Sequence, residues 1–350
     1  MNGSRISIAG RAIGAGAPPY IVAELSANHR GDIEQAFRLM TAAKQAGADA
    51  IKIQTYTADT ITIDHDGPGF TIEGGLWHGR TLYELYQEAF TPWHWHADLF
   101  AKARELGITI FSSPFDPTAV DFLEKLDAPA YKVASFEIVD LPLIERMAAT
   151  GKPLIMSTGM ATGEEIGEAV AAARGAGCRE IALLHCTSGY PTPPEDSNLA
   201  ALGALGRYDV VSGLSDHTLG IAVPIGAVAL GAAIIEKHVT MRRADGGLDS
   251  AFSLEPEELA EMVKACAIVW RAIGQRNHAP APSEAGNVVL RRSLYVVADI
   301  KAGESLTVEN IRSIRPGHGL PPKHLAAVLG RRAARDLARG TPLDWPDLAD

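Results

Sequence analysis

Short apolar runs rich in Val and Ile alternate with amphipathic segments along the chain from Tyr20 to about Ile273. This alternation is typical of parallel strands joined by crossover helices. It predicts eight strands, at Tyr20–Ser26, Asp49–Tyr56, Ile108–Ser113, Ala130–Ser135, Pro153–Thr158, Ile181–Cys186, Asp209–Ser215 and Ala232–Val239.

Amphipathic helices are predicted between these strands, and the first two, Asp32–Ala46 and Pro92–Leu106, end directly before a glycine, as helices often do. Eight such units in about 250 residues predict a (β/α)8 TIM barrel. The alternative is an open doubly wound sheet, which favours a Gly-x-Gly-x-x-Gly turn after the first strand. The chain has Ser26-Ala-Asn-His-Arg-Gly31 there. The other predicted helices are Thr118–Leu126, Leu141–Thr150, Glu164–Gly175, Asn198–Leu205, Leu219–Leu230 and Pro256–Ile273.

The rest of the 350 residues forms segments before and after the strands and helices of this barrel. The pattern of residues 4–13 predicts a small hairpin that closes the amino-terminal end of the barrel. Residues 274–287 are rich in Pro and Ala and predict a linker. This division gives a barrel domain over residues 1–273 and a compact second domain over 288–350. Asp59 to Thr81 forms a long insertion after the second strand, at the end of the barrel where long loops usually serve the site.

Composition narrows the function classes. The net charge is −10, whereas nucleic acids are bound by concentrated basic surfaces, so no nucleic-acid partner is expected. Three cysteines without a Cys-x-x-Cys spacing, and an amino terminus without the apolar core of a signal peptide, predict a cytoplasmic protein. The most apolar stretch, Leu219 to Ile235, is interrupted by Pro224 and several glycines, so no membrane span is expected.

Polar side chains gather at the carboxyl ends of the predicted strands, where barrel enzymes carry their active sites. Lys52 and Lys132, with serines and threonines on neighbouring strand ends, predict a site for an anionic, phosphorylated substrate. The alternative is that the lysines only pair with Glu24 or Glu137 inside the barrel. Glu137 is in turn either a general base at this end of the barrel or such a salt-bridge partner.

His217 and His238 end the last two predicted strands. If these strands are adjacent and parallel, about 4.8 Å apart, both imidazoles lie at one end of the sheet. Two histidines without thiolates, beside a phosphate site, suit Mn²⁺, Co²⁺ or Mg²⁺ with open positions for substrate and water. The alternative is two unrelated histidines that hydrogen-bond to the backbone.

A series of short motifs resembles the sialic acid synthases. The resemblance covers nearly the whole chain, and Arg315-Pro-Gly-His-Gly319 resembles the small C-terminal antifreeze-like (SAF) domain of these enzymes. The barrel motifs are Ala23-Glu-Leu-Ser-Ala-Asn-His29, Lys52-Ile-Gln54, Ser112-Ser-Pro-Phe115, Tyr131-Lys-Val-Ala-Ser135, Ser157-Thr-Gly-Met160, His185-Cys-Thr187, Tyr190-Pro-Thr-Pro193, Gly213-Leu-Ser-Asp-His-Thr218 and Glu236-Lys-His238.

Family members condense phosphoenolpyruvate with an N-acetylated amino sugar and water to give a nine-carbon 2-keto acid and phosphate. The resemblance implies the same reaction here, with a metal on His217 and His238. Our hypothesis adds Glu137 as a catalytic group, the base for the water that adds at C2. It also implies a domain-swapped homodimer in which the partner subunit supplies Arg315. The phosphoenolpyruvate set is Lys52, Ser113, Lys132, Ser135, Ser157, Ser188 and Ser215; the sugar set is Glu24, Gln54, Tyr190, Asp249 and Arg315.

Two segments, Glu24–His29 and Leu82–Trp93, are most similar to one branch of this family, whose sugar is 2,4-diacetamido-2,4,6-trideoxy-L-altrose. The neuraminate and legionaminate branches, with the same chemistry, are the near alternative; they more often show Gly-Val-Asn-His in the first motif. Ser188 stands where the neuraminate branch has asparagine. The remote alternative is a non-catalytic carbohydrate-binding or ice-binding protein, which leaves the polar strand ends without a role.

Overall fold

The computed structural model describes residues 4–274 and 277–349, and the chain divides after Gly274 into two compact units. In the first unit eight parallel strands form a closed barrel, each pairing with the next in chain order and the last with the first. The predicted TIM barrel is therefore confirmed, and the open sheet is excluded. The barrel strands are β3 (Tyr20–Glu24), β4 (Ala50–Thr55), β5 (Thr109–Pro114), β6 (Tyr131–Val133), β7 (Leu154–Ser157), β8 (Ile181–Cys186), β9 (Val211–Asp216) and β10 (Ile234–His238).

Helices cover the outside of this barrel. Asp32 caps the first long helix by accepting a hydrogen bond from the Glu34 backbone, and Gly47 ends it with a φ of 93°. The predicted helix at Asn198–Leu205 is instead a 3-10 helix, Leu199–Tyr208, in which glycines disfavour the α conformation. The α-helices are α1 (Ile33–Ala46), α2 (Ala58–Ile61), α3 (Leu82–Ala89), α4 (His96–Leu106), α5 (Pro117–Glu124), α6 (Leu141–Ala148), α7 (Gly163–Gly175), α8 (Ala222–Ala229), α9 (Pro256–Ala272) and α10 (Leu325–Val328).

The barrel interior is apolar towards the amino ends of the strands. Inward-pointing Val22, Phe111 and Ile155 belong to one buried cluster, together with Ile8 and Ile13 of the amino-terminal hairpin. This hairpin pairs β1 (Arg5–Ile8) with β2 (Arg11–Gly14) in antiparallel fashion. Its isoleucines are fully buried, so the hairpin closes the amino end of the barrel and leaves the carboxyl end for the polar residues.

The second unit has its own small core. Two antiparallel strands, β11 (Ser293–Val296) and β12 (Ile311–Ile314), pack with α10 around buried leucines, isoleucines and valines. Among the helices that the structure describes in both units, none is long and apolar enough to cross a membrane.

Candidate active site

Alternation along each strand decides which polar residues enter the barrel. On β10, Glu236 and His238 point into the cavity at the carboxyl end, and Lys237 points outward between them. The Lys237 ammonium lies 2.5 Å from the Asp216 carboxylate and also donates to the Thr218 carbonyl. Lys237 is therefore part of the barrel wall, although it stands at a strand end.

The cavity has a volume of about 520 Å³. Most of the residues predicted from the sequence line it: Lys52, Lys132, Ser135, Ser157, Ser215, Gln54, Tyr190, Asp249, Glu137, His217 and His238. Glu24 and Ser113 lie in the layer behind the lining, where both contact Lys52, and Ser188 lies next to Gly159. Arg315 lies in the second unit, directly after β12, with an exposed side chain.

A buried ionic cluster forms the base of the cavity. The Lys52 Nζ atom lies 2.7 Å from Glu24 Oε2 and 3.5 Å from Glu236 Oε1, and Lys132 Nζ lies 3.9 Å from the same Glu236 oxygen. All four side chains are at most 5% exposed, and charges so deeply buried require partners. The pairing of Lys52 with Glu24 is thus real, but Glu236, not Glu137, is the carboxylate nearest Lys132.

The two lysines differ in how well their charges are compensated. Burial opposes the charge of Lys52, but Glu236 and Glu24 outweigh it and raise the pKa of Lys52. Burial lowers the pKa of Lys132, because Glu236 offsets the desolvation only in part. An anion in the cavity would therefore stabilise the charged form of Lys132 more than that of Lys52.

Hydroxyl groups surround these lysines. Lys132 Nζ donates to Ser157 Oγ at 2.6 Å, and Lys52 Nζ donates to Ser113 Oγ at 3.3 Å. The buried Ser188 hydroxyl makes no hydrogen bond to any described residue. A Cβ atom on Gly159 would lie 2.3 Å from Ser188 Oγ and 2.7 Å from Ser135 Oγ, so glycine keeps the space beside both hydroxyls open.

The histidine pair forms as the strand order predicted. β9 and β10 pair in parallel with Ser215 opposite Glu236, so His217, directly after β9, lies beside His238. The two ring centroids are 5.3 Å apart. His217 Nδ1 lies 3.0 Å from the Thr187 carbonyl oxygen; in the neutral imidazole that donates from Nδ1, Nε2 keeps a free lone pair.

His238 is held in a form that suits a metal ligand. Burial lowers the pKa of His238 well below its usual value, which keeps the imidazole neutral. Its buried Nδ1 has no hydrogen-bond partner and lies 3.7 Å from Asp249 Oδ2. Over residues 4–274 and 277–349 no three His, Cys, Asp or Glu side chains form a ready ligand group. The pair therefore fits a catalytic ion that takes further ligands from substrate and water better than a structural zinc.

Glu137 lies on the 3-10 turn Ser135–Val139, which follows β6 at the cavity. Its Oε2 atom is buried and makes no hydrogen bond to described residues. Burial raises the pKa of Glu137 to about 7, only partly opposed by its own backbone N–H and by Lys132. A carboxyl group with such a pKa changes protonation near neutral pH, as a general base must.

Sequence reasoning did not assign a role to Glu236, to Trp77 of the long insertion or to Tyr86 of the following helix α3. Glu236 stands two residues before His238, so strand periodicity alone places both on one face. Trp77 and Tyr86 both line the cavity. The sequence predicted that the insertion serves the site, but it did not show which of the aromatic side chains reach the cavity.

Fold and site together define a TIM-barrel protein whose cavity, at the carboxyl end of the strands, is lined by two buried lysines and two adjacent histidines. The NeuB family pattern matches residues 39–278 and the SAF domain pattern matches residues 291–349. The chain belongs to the NeuB family.

Two curated relatives are similar over almost their whole length. The pseudaminic acid synthase of Helicobacter pylori is 45% identical, over 95% of this chain and 98% of the relative. That of Campylobacter jejuni is 44% identical, over 94% of this chain and 96% of the relative. Among solved structures, the N-acetylneuraminic acid synthetase of Leptospira borgpetersenii superposes with a TM-score of 0.73 at 32% identity, covering 81% of this chain and 95% of that chain.

Proposed function

We propose that this chain condenses phosphoenolpyruvate with an N-acetylated amino sugar and water, giving a nine-carbon 2-keto acid and inorganic phosphate. One observation carries the proposal: two buried lysines, two adjacent histidines and a carboxyl group of raised pKa line a single cavity. In a member of the NeuB family, the lysines suit an anionic substrate, the histidines suit a metal ion that acts as a Lewis acid, and the carboxyl group suits a base.

Phosphoenolpyruvate is bound by the ionic cluster and the hydroxyls around it. Lys132 and Ser157, already 2.6 Å apart, hold an anionic group of the substrate, with Ser135, Ser188 and Ser215 as further donors. Lys52 and Ser113 hold the other end of the molecule. Because Glu236 leaves Lys132 incompletely compensated, anion binding there is favoured by charge as well as by hydrogen bonds.

A divalent cation fits His217 and His238, with Mn²⁺ the best candidate and Mg²⁺ or Co²⁺ as alternatives. When bound, the cation polarises the aldehyde of the open-chain sugar as a Lewis acid. C3 of phosphoenolpyruvate forms the new bond to the aldehyde carbon. Glu137 takes a proton from the water that adds at C2, and this proton balances the one gained by the former aldehyde oxygen, which becomes a hydroxyl group. The tetrahedral carbon then expels phosphate by C–O cleavage, its hydroxyl proton leaving with the phosphate, while Lys132 stabilises the leaving group.

The sugar lies above this cluster, against Gln54, Tyr190 and Asp249. Gln54 Nε2 donates to Glu24 Oε1 at 3.1 Å, so Glu24 acts by orienting Gln54 and Lys52. Arg315 joins the site from the partner subunit of a domain-swapped homodimer. The cytoplasmic location stays a prediction from the cysteine pattern and the amino terminus.

We propose 2,4-diacetamido-2,4,6-trideoxy-L-altrose as the sugar, which makes the product pseudaminic acid. Identities of 44–45% to two proteins of that name support this choice. A neuraminate or legionaminate synthase, with the same residues and a different sugar, is the alternative.

The test is to incubate the purified protein with phosphoenolpyruvate, Mn²⁺ and each candidate sugar, and to measure phosphate and the mass of the keto acid. We expect turnover with the trideoxy sugar. In ¹⁸O-labelled water the label should enter the keto acid and not the phosphate, because the C–O bond breaks. Absence of phosphate release with every sugar would contradict the proposed reaction.

A further inference from the structure

The long insertion after β4 packs over the cavity. We call residues 57–91 the strap; it contains α2, a short hairpin and α3. The hairpin is held by two backbone hydrogen bonds of 2.9 Å, Ile72 N–H to Arg80 O and Gly79 N–H to Ile72 O. Beyond them, Trp77 Nε1 donates to the Leu248 carbonyl oxygen at 3.1 Å, and the Trp77 ring lies against Tyr190 with centroids 5.6 Å apart.

These contacts attach the strap to the sugar side of the site. The Tyr190 ring also lies against that of His217, a proposed metal ligand, with centroids 4.5 Å apart and the ring planes tilted by 50°. Leu248 precedes Asp249, which lines the cavity. The strap therefore lies against Tyr190 and the segment before Asp249, two residues of the proposed sugar site.

The barrel and the strap contribute chemically different residues to the cavity. The lysines, carboxylates, serines and the histidine pair all come from the barrel strands and the segments that follow them. The strap residues that line the cavity are all apolar or aromatic, although the strap is rich in Asp, Glu and His elsewhere. They are Ile61, Ile72, Trp77, Leu82, Leu85, Tyr86 and Ala89.

We propose that the strap is the sugar-specificity element and selects an acceptor that presents methyl groups, from acetamido groups and a deoxy carbon, instead of free hydroxyls. This inference rests on the proposed condensation. A hydroxyl placed against Ile72 or Leu82 loses its water and gains no hydrogen bond, whereas a methyl group gains contact. Discrimination by such an apolar surface is about 10- to 100-fold for each group.

The strap offers a matched pair of variants for the test. Ile72→Thr puts a hydroxyl on the cavity surface, and Ile63→Thr makes the same change at a strap residue that is 59% exposed and does not line the cavity. Both are made in the full chain and compared with the unmodified protein. The acceptors are the trideoxy diacetamido sugar and an N-acetylated hexosamine with free hydroxyls at C4 and C6, and kcat/KM is measured for each.

We expect Ile72→Thr to lower kcat/KM for the methyl-rich sugar by roughly 10-fold while the hydroxylated sugar changes much less. The KM for phosphoenolpyruvate should stay unchanged, and Ile63→Thr should behave like the unmodified protein. Thermal melts followed by circular dichroism check that both variants fold.

An equal loss for both sugars, or an unchanged ratio of the two kcat/KM values, would overturn the role of the strap while the condensation itself stands. A preference of the unmodified protein for the hydroxylated sugar would also overturn it. If neither sugar releases phosphate, the proposed function fails and this inference fails with it.

Discussion

At the scale of single residues, Glu137 is the group whose proposed role depends most strongly on pH. Its pKa is raised to about 7 by burial, and a general base works only when ionised. Activity should therefore fall as pH drops through about 7 and level off above it. Steady-state phosphate release, measured across the neutral range with saturating substrates, should follow this single ionisation.

Glu137→Gln removes the proposed base and keeps the shape of the side chain. We expect kcat to fall by about 10²- to 10⁴-fold and the limb near pH 7 to disappear, with little change in the KM for phosphoenolpyruvate. Losses of equal size in kcat and in phosphoenolpyruvate binding would instead identify Glu137 as a binding residue.

His217 is predicted to act through a bound cation. His217→Asn should abolish metal-supported phosphate release and weaken Mn²⁺ binding, measured directly by calorimetry. His185→Asn is the matched control: its ring hydrogen-bonds to the Ser197 carbonyl oxygen at 2.7 Å and does not line the cavity. Undiminished turnover and Mn²⁺ affinity in the His217 variant would contradict the assignment of the metal site to His217 and His238.

At the scale of elements, the amino-terminal hairpin supports the barrel from the end opposite the site. Ile8 is fully buried among the inward-pointing residues of the strands. Ile8→Ala should lower the free energy of unfolding by about 2–5 kcal/mol, since truncation leaves a cavity that the barrel cannot fill. Urea denaturation measures this loss.

The catalytic constants of the same variant, measured at low temperature, should be close to normal because the carboxyl end is untouched. The control is Ser7→Ala in the same strand; its side chain is exposed, and its effect should stay within about 0.5 kcal/mol. A loss of activity without a loss of stability in Ile8→Ala would mean that the hairpin shapes the site directly.

At the scale of the whole molecule, the second unit is proposed to contribute one residue, Arg315, to the reaction. Because Arg315 is proposed to contact the sugar, Arg315→Ala should weaken sugar binding in the full-length chain, and at sugar concentrations well below the KM of this variant its activity should be nearly lost. Mixing Arg315→Ala with His217→Asn chains, each inactive or nearly so, then distinguishes the two arrangements. In mixed dimers, one barrel has an intact histidine pair and receives an intact Arg315 from its partner.

In an equal mixture about half of the dimers contain one chain of each kind, and each of these has one complete site out of two. The mixture should therefore regain about a quarter of the unmodified activity. Size-exclusion chromatography must show dimers, and subunit exchange is verified with differently tagged chains. No recovery in confirmed mixed dimers would mean that Arg315 acts within its own chain or not at all.

Much of the molecule could be predicted from local pattern. All eight barrel strands lie within two residues of their predicted bounds, because buried parallel strands are short apolar runs between amphipathic helices. Strand order then placed His217 beside His238. Glu137 was predicted as a candidate base, but its raised pKa depends on burial that no sequence pattern states.

The sequence by itself determined the features that follow from periodicity and motifs. These are the barrel, the polar residues at the carboxyl ends of its strands, the histidine pair and the family resemblance. Tertiary structure alone decided that Lys237 faces Asp216 outside the cavity and that Glu236 lies between the two catalytic-site lysines. It alone decided that apolar and aromatic side chains of the strap, not its charged ones, line the cavity. The reason is physical: burial, charge compensation and contacts between distant segments exist only once the chain is closed into a barrel.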